Sequence, residues 1–124
     1  MPEHSIGTYA KGVMGENAAC TYLMERGMQP LERRYRSPYG EIDLIMLDGD
    51  MLVFVEVKTR ERQGRVQAQL AVTPAKQRRL IQTGCCYLGE HPEHQERLIR
   101  FDVVTVAQDG ILHIPNAFES NMYF

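Results

Sequence analysis

Two β-rich runs, residues 42–47 and 51–57, stand on either side of Asp48-Gly49-Asp50, and nothing else in the chain constrains the fold so tightly. Apolar and β-branched runs broken by a short Gly/Asp turn signal a tight hairpin. A two-residue loop at Gly49-Asp50 puts glycine where a type II′ turn needs positive φ. That loop fixes the register. Asp48 pairs with Met51 and Leu47 with Leu52, and the ladder continues until Asp43 falls opposite Glu56 and Glu41 opposite Lys58. Strand side chains alternate between faces, so Asp43, Glu56, Glu41 and Lys58 are expected on one side. Ile42, Leu44, Val55 and Val57 are then expected on the other.

Carboxylates directly opposed across a strand pair lie about 4.5–5.5 Å apart at Cβ and repel one another. A cation between them removes the repulsion. Mg²⁺ suits the position, since it takes oxygen ligands and usually accepts only one or two carboxylates besides phosphate and water. Lys58 is within reach of an attacking water or of charge developing on phosphorus. On this reading the metal acts as a Lewis acid and lowers the pKa of bound water, while Lys58 orients and stabilises. A second reading is a solvated sheet face with a weak Lys58–Glu41 ion pair. Ile45, Phe54 and Leu52 share that face, so the charges end an apolar stripe, which favours the metal.

The rest of the chain reads as a helix at 11–26, a strand at 28–35 and a turn at Ser37-Pro38-Tyr39-Gly40. A second helix is expected at 74–88, with Thr73 as N-cap and Pro74 at its first position. A strand at 99–106 follows, and Asp109-Gly110 leads into a brief segment at 111–114. The order is α-β-β-β-α-β, and 124 residues fit one domain, 1–124. No apolar run approaches the ~18 residues of a membrane span, and the N-terminus lacks a secretion signal's pattern. Three cysteines cannot all pair within one chain, so free thiols and a cytoplasmic location without a membrane partner are expected.

A net charge of −2 by itself disfavours a nucleic-acid partner. The distribution tells more: Lys and Arg concentrate between Arg26 and Arg79, and the chain beyond is mostly acidic. One positive face and an ordinary solvated surface are both open readings. Residues 63–71, with Gly64 and Arg65, read as a mobile loop beside the site. His91-Pro92-Glu93-His94 has no Cys or His partner at zinc spacing and reads as a surface loop. Asp102 takes no functional role.

Gly40-Glu41-Ile42-Asp43-Leu44-Ile45, followed by Leu52-Val53-Phe54-Val55-Glu56-Val57-Lys58-Thr59-Arg60, resembles the PD-(D/E)xK nucleases. More closely it resembles the YraN-type family, small bacterial proteins similar to archaeal Holliday junction resolvases. The likeness extends to Gly15-Glu16-Asn17-Ala18-Ala19, Lys76-Gln77-Arg78-Arg79-Leu80, Arg100-Phe101-Asp102-Val103-Val104 and Ile114-Pro115-Asn116-Ala117-Phe118, nearly the whole chain. It implies an α/β, restriction-endonuclease-like fold, a central mixed β-sheet flanked by helices with the metal at the hairpin.

Residue by residue, Asp43 matches the family's aspartate ligand, Glu56 the acid of E-x-K and Lys58 its lysine. Glu16 matches an acidic residue that faces the site in resolvase-like members; the alternative is a first-turn residue helped by the helix dipole. The Val57 carbonyl matches a backbone ligand of the metal, and Gln77 a supporting helix position, with Glu41 as a further supporting residue. Pro38 departs from the usual motif by lying five residues ahead of Asp43. Arg33, Arg34 and Arg36, with Thr59 and Arg60, are candidate phosphate contacts, which position a duplex without reading its sequence; loop solvation is the other reading of Thr59 and Arg60.

The resemblance thus implies a Mg²⁺-dependent endonuclease-type phosphodiesterase, with Mn²⁺ as substitute, acting on DNA and including branched DNA among its candidate substrates. Resolvase-like relatives act as dimers, so a homodimer is expected too. The alternatives are a non-catalytic nucleic-acid-binding module on a nuclease scaffold, and an interaction domain whose paired acids are incidental.

Overall fold

In the computed structural model, which describes residues 8–61 and 72–119, the hairpin turns where its glycine allows. Gly49 takes φ 62°, joining β2 (Gly40–Asp48) to β3 (Met51–Thr59). The pairing runs as expected through Asp48–Met51, Leu47–Leu52, Met46–Val53, Ile45–Phe54 and Leu44–Val55. On one side β1 (Gln29–Ser37) pairs antiparallel with β2. On the other, β4 (Ile99–Ala107) runs parallel to β3, and β5 (Gly110–Phe118) closes the sheet antiparallel to β4. The strand order is β1-β2-β3-β4-β5.

Parallel neighbours need a crossover, and α2 (Pro74–Glu90) supplies it. Thr73 caps this helix as expected, its hydroxyl accepting the Lys76 N–H at 3.3 Å, with Pro74 in the first turn. Helix α1 (Thr8–Glu25) stops at Gly27, which takes φ 94°. There the Met28 N–H donates to the Leu23 carbonyl and the Gly27 N–H to Met24, the paired bonds of a Schellman ending.

The helices cover opposite faces of the sheet. Ala19, Cys20 and Leu23 of α1 pack on Leu44, Met46, Val53, Val55 and Val104. Leu80, Ile81, Tyr87 and Leu88 of α2 pack on Ile42, Ile45, Leu52, Phe54, Phe101 and Val103. Both faces of β3 are therefore covered, and its Leu-Val-Phe-Val run is buried residue by residue.

The segment expected to be a brief 111–114 extension is a full nine-residue strand, so the order is α-β-β-β-α-β-β. Pro115 and Asn116 interrupt its alternation in the sequence. An edge strand tolerates proline because only one side is laddered. Asn116 takes φ 51°, and a register shift between Phe101 and Val103 lets pairing resume at Phe101–Phe118. The opposite edge behaves likewise, with Pro30 in β1 and a shift between Pro30 and Glu32.

Asp102 sits at the β4 irregularity, fully buried and fully bonded. It accepts from Arg100 at 2.8 and 3.0 Å, from the Asn116 N–H at 2.9 Å, and contacts His113 Nε2 at 2.7 Å. The 91–94 segment is less superficial than a surface loop. His91 stacks on Tyr87 at 3.9 Å, and His94 is buried with Nδ1 accepting from Arg97 at 2.9 Å. Cys20, Cys85 and Cys86 are free thiols. The loop expected at 63–71 falls outside the described residues.

Candidate active site where the hairpin ladder opens

Below Leu44–Val55 the hairpin departs from simple alternation. The Val57 N–H donates to Asp43 Oδ2 at 2.7 Å, so a carboxylate takes up a backbone donor of the neighbouring strand. Ile42 packs with Ile45 and Phe54 on the α2 side, while Leu44 packs on the α1 side. Ile42 therefore does not share a face with Leu44 and Val55, as strict alternation would require. The same level of β1 is irregular as well. Arg33 pairs with Leu44 and Tyr35 with Ile42, while Arg34 between them takes φ 54°, a left-handed conformation uncommon outside glycine. The change of face is centred on Arg34 and Asp43.

This opening gathers charge. Glu56 is buried at 5% exposure. Its Oε2 receives Lys58 Nζ at 3.2 Å and also Lys76 Nζ, which reaches in from the first turn of α2. The Asp43 carboxyl is pushed up to about 8 by burial and then by the charge of Glu56, with Glu16 adding and the Val57 N–H opposing. Burial, then Lys76, hold the Lys58 amine below its ordinary value against the pull of Glu56. For Lys76 burial is the largest single influence and acts downward, but the bonds to Glu56 and Lys58 and the charges of Glu56 and Asp43 together outweigh it and hold that amine above its ordinary value.

Glu16 reaches the cluster from α1. It accepts Arg34 Nε at 2.8 Å and lies 3.8 Å from an Arg33 nitrogen. Its helix comes close because Gly15 has no side chain: a Cβ there would lie 2.3 Å from Thr59 Oγ1. Sequence position alone gave no reason for this proximity.

The remaining candidates divide. Glu41 does not pair with Lys58; it accepts Arg36 Nε at 2.7 Å across β1–β2, because the β2–β3 ladder has already opened. Arg36 is otherwise well exposed. Gln77 donates to the Val72 carbonyl at 3.1 Å rather than to an acid. Thr59 lies at the exposed end of β3. Arg60 continues that strand through its N–H to the Val106 carbonyl at 2.9 Å. It lines a groove of about 520 Å³ with Met14, Gly15, Ala18, Thr59 and Val106.

Lys76 is the site residue that the sequence reading missed. A signal for it existed. A helix crossing over from β3 to a parallel β4 must begin near the C-terminal end of β3, where Glu56 and Lys58 lie, and Thr73-Pro74 marks that beginning.

Among the described residues no three His, Cys, Asp or Glu side chains cluster as a metal cage. Asp43 and Glu56 form a pair. Two carboxylates with a neighbouring carbonyl, such as that of Val57, fit Mg²⁺, which keeps its other positions for water and phosphate. Among the same residues no helix is long and apolar enough to cross a membrane.

A mixed five-stranded sheet between two helices, with buried Glu56 and half-buried Asp43 beside two lysines, defines an α/β protein with a candidate cation site. The chain belongs to the uncharacterised protein family UPF0102, which residues 15–106 match. A UPF0102 protein of Rhodococcus opacus (strain B4) is 46% identical over 114 residues, covering 88% of this chain and 96% of that protein. One from Rhodopseudomonas palustris (strain BisB18) is 38% identical over 117 residues, covering 94% and 85%. Another, from Francisella tularensis subsp. tularensis (strain WY96-3418), is 38% identical over 108 residues, covering 86% and 92%.

Proposed function

We infer that the domain is a Mg²⁺-dependent endonuclease-type phosphodiesterase of the PD-(D/E)xK superfamily, acting on DNA with branched forms among its candidate substrates. The observation that carries this reading is the meeting of half-buried Asp43 with buried Glu56 beside Lys58. Two carboxylates drawn together, one of them held well above its ordinary value by burial and by its neighbour's charge, suit a site for a divalent cation. Asp43 and Glu56, with the Val57 carbonyl, would hold Mg²⁺ or Mn²⁺, which when bound supplies Lewis-acid polarisation of a phosphoryl oxygen.

This chain's own residues do the rest. Lys58 faces the reacting phosphate and stabilises negative charge developing there. Glu16 acts through Arg34, whose guanidinium it orients towards the site. Arg33, Arg36, Thr59 and Arg60 flank the acids on both sides and suit backbone phosphate contacts. Cutting both strands of a branched duplex would call for a homodimer, and three free thiols suit a reducing cytoplasm.

One observation favours the non-catalytic alternative. Arg34, Lys58 and Lys76 already answer the acids in the protein alone. Incubation with supercoiled plasmid and synthetic four-way junctions in Mg²⁺ or Mn²⁺ separates the two. The expected result is cleavage that EDTA, Glu56→Ala and Lys58→Ala each abolish. Cleavage undiminished in those variants refutes the assignment. Salt-dependent binding that ignores EDTA, with no cleavage of either substrate, establishes the binding module instead.

A further inference from the structure

Two ammonium groups converge on one oxygen, Glu56 Oε2. A single carboxylate needs only one. A divalent cation held between Asp43 and Glu56 would add a third positive centre within a few ångströms, and like charges so close repel strongly where water is scarce. One lysine must then leave. Lys58 is the less mobile of the two, because β3 carries it and β4 flanks it at Thr105. Lys76 crosses from another element, and its side chain is 36% exposed against 26% for Lys58.

We propose that Lys76 is a resident stand-in for the cation. It neutralises Glu56 in the cation-free protein, and when a divalent ion arrives it swings outward to bind a phosphate of the incoming nucleic-acid backbone. Cation binding and nucleic-acid binding are thereby coupled through one side chain. The idea rests on the phosphodiesterase reading of the site, and it makes Lys76 a switch between an internal carboxylate and an external phosphate. Thr73 and Pro74 set the helix start that places it there.

The test is calorimetric titration of Mn²⁺ into the full chain without nucleic acid, for wild type, Lys76→Met and Asp43→Asn. Removing the competitor should tighten Mn²⁺ binding about two- to five-fold, the affinity equivalent of one partly exposed ion pair. The same variant should lose the gain in affinity for a fluorescent four-way junction that Ca²⁺ gives over EDTA. A merely structural lysine would weaken Mn²⁺ binding instead of tightening it. If Lys76→Met does not melt cooperatively, Lys76→Gln takes its place. Mn²⁺ binding that Asp43→Asn abolishes but Lys76→Met leaves unchanged or weakens overturns the stand-in role alone. Absence of Mn²⁺ binding from wild type overturns the cation site and the stand-in together.

Discussion

The Asp43 carboxyl should make the cation-free domain lose stability as pH rises through neutrality. Its folded value is raised from 3.8 to about 8, so the native state holds a proton that the unfolded chain has released. Stability therefore falls with pH across that window. Integrating the linkage for one proton gives a loss of about 2 kcal/mol between about pH 6 and about pH 8. For a domain of this size that is roughly 5–10 °C in melting temperature. Asp43→Asn provides the control. The amide oxygen can still accept the Val57 N–H, but nothing titrates. Thermal melts of both proteins in EDTA should diverge with pH, the wild type falling against the variant. Saturating Mn²⁺ should remove the divergence by stabilising only the wild type, because the cation takes the proton's place. Parallel melting curves in EDTA across the whole range would refute the reasoning.

Three further outcomes follow from packing and charge. A Cβ at Gly84 would lie 2.9 Å from the Phe54 ring, so Gly84→Ala should destabilise by about 1–3 kcal/mol, and Phe54→Leu should recover part of it in denaturant melts. Asp102→Ala takes one of its two carboxylate partners from Arg100, which keeps Asp48 at 3.1 Å, and leaves the Asn116 N–H unpaired, for which about 1–3 kcal/mol is expected in urea unfolding. Burial alone would raise Asp102, but His113 and Arg100 outweigh it and hold the carboxyl below its ordinary value, so its contribution disappears only as pH falls through that lowered value. Thr73→Ala removes the N-cap of α2 and should cost about 1 kcal/mol, while loosening the first turn that carries Lys76. A reduced melting temperature with unchanged hairpin stability would register it.

The hairpin was legible in the sequence because local rules govern it. Gly49 sets the turn and the apolar runs set the register, and the ladder runs true as far as Leu44–Val55. It departs at Asp43 because a side chain there competes with the backbone for the Val57 N–H, and no periodicity encodes that competition. The left-handed Arg34 is equally invisible, since arginine carries no preference for it. Strand β5 was underestimated because Pro115 and Asn116 resemble a terminator, and only the edge position makes them tolerable. Gln77 drew attention where Lys76 holds the acid. One residue on a helix is about 100° of rotation, so Lys76 meets Glu56 while Gln77 turns to the Val72 carbonyl.

The two outermost strands bear on how copies of this protein can meet. Each carries a proline and an irregularity, Pro30 beside the β1 shift and Pro115 beside the left-handed Asn116. A second molecule attempting to prolong the sheet from either border would find a missing donor and a crooked rail. Self-assembly by strand addition is thus discouraged at both ends, and a twofold pair of these domains would have to meet through helices or loops.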